Sequence, residues 1–123
     1  MKKPLYKSFY CAFQGLWVAL KTERNLKIDL TGAVLAAAAG IYLGLTAVEW
    51  GLVIFSIGFV LGAELFNTAL EHLCDEASGK KPSDGIRICK DIAAAASLTA
   101  AATALATGII ILIIPLVQRI SGS

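Results

Sequence analysis

Residues 50–75 of the chain read WGLVIFSIGFVLGAELFNTALEHLCD. The first fourteen of them carry no charge, as is typical of a helix within a lipid bilayer. Glu64, Asn67, Glu71 and Asp75 then follow at spacings of three, four and four residues, so their side chains project from one side of a helix. A charged side chain at membrane depth costs about 3 kcal/mol unless it faces a protein interior, and such residues usually serve a function. The stretch therefore predicts a membrane helix that carries a polar functional stripe.

Two further stretches are long enough to cross a membrane. Residues 30–48 and 92–117 are runs of nineteen and twenty-six uncharged residues, and about twenty apolar residues in a helix span the hydrocarbon core. The chain is 57% hydrophobic with a mean hydropathy of +0.72, far more apolar than a soluble domain of 123 residues. We therefore expect an all-α integral membrane protein, a single domain over residues 1–123. Its predicted transmembrane helices cover residues 30–48, 50–73 and 92–117.

The segment before the first span has a different pattern. Residues 5–28 place apolar side chains at helical spacing, with basic side chains such as Lys7 and Lys21 between them. Trp17 and the neighbouring tyrosines suit the headgroup region of a bilayer. We expect an N-terminal amphipathic helix that lies on the cytoplasmic surface of the membrane.

Basic residues are distributed unevenly along the chain. Of the eleven, six precede the first span, four lie between the second and third spans, and only Arg119 follows the third. By the positive-inside rule, the N-terminus and the loop 75–91 are cytoplasmic and the C-terminus is outside. This predicts a multi-pass membrane protein with its N-terminus in the cytoplasm. Because membrane orientation accounts for the charge, we expect no nucleic-acid partner.

Carboxylates dominate the candidate site, without a cluster of thiols or imidazoles. The spacing of the three cysteines fits no metal motif, and His72 has no second ligand at a suitable spacing. On their own, Lys90 and Asp91 at the mouth of the third span would be an interfacial, salt-bridged anchor. Together with the stripe on the second span, they add a cation that attracts phosphate and another oxygen ligand. Such a set favours Mg²⁺ and phosphate over zinc or iron.

Three motifs carry a resemblance to a known family. They are Gly15-Leu16 followed by Glu23, the block Glu64-Leu-Phe-Asn-Thr-Ala-Leu-Glu71 followed by Asp75, and Lys90-Asp91-Ile-Ala-Ala-Ala-Ala96. Together they resemble the small prokaryotic diacylglycerol kinase and undecaprenol kinase family, over essentially the whole chain. The resemblance implies a homotrimeric helical bundle. It also implies an enzyme that moves the γ-phosphate of ATP, bound with Mg²⁺, to the hydroxyl of a membrane lipid alcohol.

The resemblance also implies roles for individual residues. Glu64 corresponds to the general base, and with Asn67 it corresponds to the groups that contact the lipid substrate. The implied nucleotide-binding residues are Glu23, Glu71, Asp75, Lys90 and Asp91. Of these, Glu23 and Glu71 are the implied Mg²⁺ ligands. For Glu23 this replaces the interpretation from spacing alone, which is a solvated interfacial charge among basic residues.

Two alternatives stay open at this point. The acceptor is either undecaprenol, giving undecaprenyl phosphate, or diacylglycerol, giving phosphatidic acid. The stretch Thr22-Glu-Arg-Asn25 is similar to the Gram-positive branch, whose members often act on undecaprenol. From a different class, a small non-enzymatic multimer such as a proton-coupled multidrug transporter would also need an intramembrane Glu64. That alternative leaves Glu71 and Lys90 unexplained.

Overall fold

The computed structural model describes residues 4–79, 81 and 83–122, and the elements in these ranges are helical. They are α1 (Leu5–Thr22), α2 (Arg24–Leu43), α3 (Ala47–Ser78), α4 (Asp84–Gly108), a π-helical turn (Ile109–Ile113) and α5 (Ile114–Ile120). No strand occurs among the described residues, so the all-α prediction is confirmed. The two ends of the predicted domain, residues 1–3 and 123, and Lys80 of the predicted cytoplasmic loop lie outside the described residues.

Three helices are long and apolar enough to cross a membrane. Helix α2 has 20 residues, α3 has 32, and the continuous helix Asp84–Ile120 has 37. At 1.5 Å per residue these helices are about 30, 48 and 55 Å long. The second and third therefore extend beyond a hydrocarbon core of roughly 30 Å. The three predicted spans are confirmed at this level, whereas the position of α1 on a membrane surface stays a prediction.

The segment predicted as one helix over residues 5–28 consists of two helices. Helix α1 ends at Thr22, Glu23 has an extended backbone with φ −105° and ψ 114°, and α2 begins at Arg24. Ala19 and Leu26, on either side of this break, are both buried, and α1 packs against α2. Residues 24–28 therefore belong to α2, because the helix restarts after the extended backbone of Glu23.

The turn between α2 and α3 comes earlier than the predicted boundary of residue 48. Gly44 adopts the left-handed conformation, with φ 69°, which ends α2 and favours glycine. Thr46 then begins α3 with a capping box: its hydroxyl accepts from the Glu49 N–H (3.2 Å), and the Glu49 carboxylate accepts from the Thr46 N–H (3.0 Å). Val48 therefore belongs to α3.

The helices on either side of the predicted cytoplasmic loop are also longer than predicted. Helix α3 continues to Ser78 instead of ending at residue 73, and α4 begins at Asp84 instead of residue 92. The Ser83 hydroxyl caps α4 by accepting from the Ile86 N–H at 3.2 Å. The continuous helix reaches Ile120, with the π-helical turn just before Pro115, a residue that cannot donate a backbone hydrogen bond. Polar residues thus form the ends of both helices that face the loop between α3 and α4.

The buried core of the protomer is small. Val53, Ile111 and Leu112 form a buried cluster, and the partly buried residues packed against it come from α2, the turn after it and α3. Most large apolar side chains are exposed, among them Phe55 (73%) and Phe66 (74%). Exposed apolar area of this extent is what lipid or neighbouring helices cover in a membrane protein.

Candidate active site

Glu64 lies at the packing surface between α3 and α4. Its carboxylate is half-buried, and its Oε1 accepts a hydrogen bond from the hydroxyl of Ser97, a buried residue of α4. The two residues are 33 positions apart in the sequence and meet because α4 folds back along α3. Glu64 thus faces protein, as a charged residue in a membrane helix should.

Asp29 of α2 brings a second carboxylate to the same region. It is half-buried and interacts electrostatically with Glu64. Its Oδ2 is buried and has no hydrogen-bond partner among the described residues. Two carboxylates from different helices therefore interact in this region, and one of them accepts a hydrogen bond from a hydroxyl. This arrangement can accept a proton from a group that enters between α2, α3 and α4.

An apolar groove runs between the same three helices. It has a volume of about 650 Å³. Its lining includes Asp29, Gly32 and Ala36 from α2, Val60 from α3, and Ala101 and Ala104 from α4. Small residues leave this space open because their side chains do not fill it. An apolar chain fits such a groove, with a polar end at Asp29.

A second cluster forms nearer the loop between α3 and α4. The Lys90 ammonium donates to the Asp75 carboxylate at 2.8 Å and also interacts electrostatically with Glu71. The Lys90 side chain is 36% exposed and that of Asp75 66%, so solvent or a ligand can reach both. The structure thus brings together Glu71, Asp75 and Lys90, three of the predicted nucleotide-binding residues.

Asn67 lies between the two clusters on α3. Its Oδ1 is buried without a hydrogen-bond partner among the described residues. A buried, unpaired amide oxygen costs roughly 1–3 kcal/mol, so such an atom calls for a partner from a ligand or another chain. At 1.5 Å per residue, Glu64 and Asp75 are about 16 Å apart along the helix, and Asn67 and Glu71 lie between them.

Two predicted site residues are not joined to these clusters. Glu23 is half-buried at the α1–α2 break, and Asp91 is exposed on α4. Within residues 4–79, 81 and 83–122, no hydrogen bond or ion pair links either side chain to Glu71 or Lys90. The described part of the chain also holds no group of three or more His, Cys, Asp or Glu side chains that could bind a metal ion. A Mg²⁺ ion that arrives with a nucleotide needs fewer protein ligands, because phosphate oxygens and water complete its coordination.

The sequence interpretation missed two residues near Glu64. Asp29 immediately precedes the uncharged run 30–48. A carboxylate at the end of a predicted membrane helix indicates a candidate functional residue. Ser97 is seven residues after Lys90, so the two share a helix face with Ala93 and Ala100. The buried residues of α4 are Ala93, Ser97 and Ala100, and they confirm that this face packs inward. The spacing does not show which helix this face of α4 packs against.

Comparison with known proteins decides the family. Residues 10–112 match the sequence profile described as prokaryotic diacylglycerol kinase. The chain belongs to this family. The match contains every predicted site residue, from Glu23 to Asp91, and thereby confirms the resemblance carried by the three motifs.

Two relatives carry related names. An undecaprenol kinase of Bacillus subtilis is 35% identical over 75 residues, which cover 61% of this chain and 61% of that protein. A diacylglycerol kinase of Synechocystis sp. is 34% identical over 128 aligned positions, which cover 95% of this chain and 73% of that protein. The chain thus matches less than two thirds of the length of the Bacillus relative. Together with the three apolar helices, membership of this membrane kinase family indicates a multi-pass membrane protein.

Proposed function

We propose that this protein is a membrane lipid kinase, which transfers the γ-phosphate of MgATP to the hydroxyl of a membrane lipid alcohol. The observation that carries the proposal is the position of Glu64. Its carboxylate is half-buried between α3 and α4 and interacts electrostatically with Asp29, which lines the groove between α2, α3 and α4. A lipid chain in that groove would present its hydroxyl to a carboxylate that can accept a proton. The family and the names of both relatives support the same activity.

The chemistry assigns Glu64 the role of general base. As the lipid oxygen attacks the γ-phosphorus, its proton passes to the Glu64 carboxylate, and the bond to the departing ADP breaks. Phosphoryl transfer otherwise needs positioning and neutralisation of charge. The Lys90 ammonium, which donates to Asp75 in this structure, can bind a phosphate instead. Asn67 offers a buried amide near the base. Asp91 is a further nucleotide contact on the exposed face of α4.

Glu23 and Glu71 are the proposed Mg²⁺ ligands. Both are carboxylates, the ligand type that Mg²⁺ prefers, and the ion neutralises phosphate charge when it is bound with the nucleotide. Glu71 lies two helical turns from Glu64, on the side of the Lys90 cluster. The triphosphate would therefore extend from the loop end of α3 toward the base.

The proposed assembly is a homotrimer whose sites draw residues from neighbouring protomers. The described residues of one chain hold no group of three or more His, Cys, Asp or Glu side chains that could bind a metal ion, and Asn67 keeps an unpaired buried oxygen. The protomer also leaves most of its large apolar side chains exposed. Close association of the alanine-rich faces of α2 and α4 would cover part of this surface.

The proposed location is the bacterial inner membrane, with the N-terminus and the loop between α3 and α4 in the cytoplasm. This orientation puts Asp75 and Lys90 on the side from which ATP arrives. It rests on the basic residues that flank the first span and the loop.

An assay of phosphate transfer tests the proposal directly. Purified protein in mixed lipid–detergent micelles is given ATP labelled at the γ-phosphate, Mg²⁺, and either undecaprenol or diacylglycerol. We expect label in the lipid phase with at least one acceptor, and the faster acceptor identifies the substrate class. The matched control is Glu64→Gln protein. A folded, ATP-binding parent that labels neither lipid would contradict the proposed function.

A further inference from the structure

We propose that Ser97 is a positioning residue, which holds the Glu64 carboxylate in the orientation needed to accept the lipid proton. The inference rests on the proposed role of Glu64 as base. Ser97 is buried, with 6% of its surface exposed, and its hydroxyl donates to Oε1 of Glu64. The bond joins α3 to α4 at the base itself, so it fixes the carboxylate relative to both helices.

Other hydroxyls of α4 behave differently from that of Ser97. Thr99, Thr103 and Thr107 each donate to the backbone carbonyl four residues earlier, at 2.8, 2.9 and 3.1 Å. This local bond is the usual way for a hydroxyl in a membrane helix to satisfy itself. Ser97 instead donates to another helix. Its position on the buried face of α4, between Ala93 and Ala100, allows α3 to come close enough for that contact.

The orientation matters because Glu64 also faces a like charge. Asp29 of α2 interacts electrostatically with Glu64 and would repel its ionised carboxylate. Without the Ser97 hydroxyl, the Glu64 carboxylate could rotate away from Asp29, the carboxylate that lines the groove. With Oε1 engaged by Ser97, Oε2 is the oxygen left to receive the lipid proton. Ser97 thereby sets which oxygen of the base reacts and where it points.

The test compares three variants in the lipid kinase assay. Ser97→Ala removes the hydroxyl, and we expect kcat to fall roughly 5- to 20-fold, as for the loss of one orienting hydrogen bond at a reacting group. KM for MgATP should change by less than about twofold, because the nucleotide contacts are untouched. Ser97→Thr keeps a hydroxyl and should recover most of the lost kcat. Thr99→Ala removes a hydroxyl that bonds only within α4, and should behave like the parent.

A second measurement does not depend on activity. Thermal unfolding of the parent, Ser97→Ala, Glu64→Ala and the double variant forms a double-mutant cycle. If Ser97 and Glu64 are bonded, the double variant should lose less stability than the sum of the two single changes. Strictly additive losses would contradict the contact.

The outcomes separate this inference from the proposed function. An active parent with an equally active Ser97→Ala variant overturns the positioning role alone. So does a change confined to KM, or a stable Ser97→Thr variant that regains no kcat. A folded parent that phosphorylates neither lipid overturns the proposed function, and the positioning role falls with it.

Discussion

Glu64 is surrounded by groups from two other helices, the Ser97 hydroxyl of α4 and the Asp29 carboxylate of α2. These neighbours differ in what they do to a carboxylate: the hydroxyl orients it, and the second carboxylate repels it. Farther along α3, Glu71 and Asp75 face the Lys90 cation. The polar stripe therefore divides into a deep part suited to a proton acceptor and an outer part suited to phosphate.

The division between these two parts can be tested by substitution at Glu64. Glu64→Gln keeps the shape of the side chain and removes the proton acceptor, so we expect turnover to fall at least about 100-fold, the usual contribution of a general base. Binding of nucleotide should stay within about twofold of the parent, because the Lys90 cluster is unchanged. Radiolabel transfer and calorimetric titration with MgATP measure the two quantities. Parent-level turnover in Glu64→Gln would refute the assignment.

The outer part is tested by substitution of the proposed Mg²⁺ ligands. Glu71→Gln and Glu23→Gln each replace a charged oxygen ligand with a weaker neutral one. We expect both to weaken MgATP binding and to raise the Mg²⁺ concentration that gives half-maximal rate, by roughly tenfold or more. Asp84→Asn is a suitable control, because Asp84 pairs with exposed Arg87 at 3.7 Å, and exposed pairs contribute little. An unchanged Mg²⁺ requirement in both variants would exclude them as ligands.

At the scale of elements, the long helix α3 sets the spacing of the polar residues from Glu64 to Asp75. The cap at its start fixes how α3 is aligned along α2. The capping box of Thr46 and Glu49 fixes where α3 begins. Directly after it, Trp50 of α3 packs over Gly40 of α2, where an added Cβ would lie 2.7 Å from the indole ring. Helices α2 and α3 therefore come together closely at the end of the molecule away from the site, which keeps Asp29 beside Glu64 at the other end.

This close approach predicts a specific sensitivity at Gly40. Gly40→Ala should lower the unfolding temperature, because a methyl group would clash with the Trp50 ring and with Leu45 Cδ1 at 3.0 Å. Gly32→Ala, in the same helix and with no atom within 4 Å of the new Cβ, should leave it unchanged or raise it, since alanine favours a helix by about 1 kcal/mol. Thermal unfolding in detergent measures both. Equal shifts in the two variants would argue against the packing of Trp50 on Gly40.

At the scale of the whole molecule, one protomer lacks features that the proposed reaction requires. The described residues hold no group of three or more His, Cys, Asp or Glu side chains that could bind a metal ion, and few of the hydrophobic side chains are buried. A second and third copy could bring Glu23 of one chain to Glu71 of the next and cover the exposed apolar faces. Function and assembly are then inseparable, since the site would exist only in the oligomer.

Mixing two inactive variants tests this shared site. Glu64→Gln and Glu23→Gln chains, expressed separately and reassembled together in equal amounts, should regain activity if Glu64 and Glu23 of one site come from different protomers. With random mixing, about a quarter of the sites in a symmetric ring would combine one intact residue from each chain. Each variant reassembled alone is the control. Mixed trimers without any activity would place both carboxylates in the same protomer.

The orientation in the membrane is a separate prediction for the whole molecule. Single cysteines at Lys81 and at Ser121, in a background without the native thiols, should react with impermeant reagents from opposite faces. Lys81 should react only from the cytoplasmic side, because the basic residues favour that side. Labelling of the Lys81 position from outside alone would contradict the topology.

The sequence alone determined the class of the protein and the stripe of its candidate site. Uncharged runs of sufficient length predict membrane helices whatever they pack against, and the spacing of Glu64, Asn67, Glu71 and Asp75 places them on one face of any helix. Thr46 and Glu49, three residues apart, are also the sequence pattern of a capping box, which indicates a helix that begins before the predicted boundary at residue 48.

Only the tertiary structure decided which helices meet. The break at Glu23 is visible only in the structure, because no proline or glycine marks it in the sequence. The contacts of Glu64 with Ser97 and Asp29 join residues 33 and 35 positions away, and helical periodicity shows which face is polar without showing its partner. Partner choice depends on side-chain volumes at close approach, such as the small residues Ala93 and Ala100 beside Ser97.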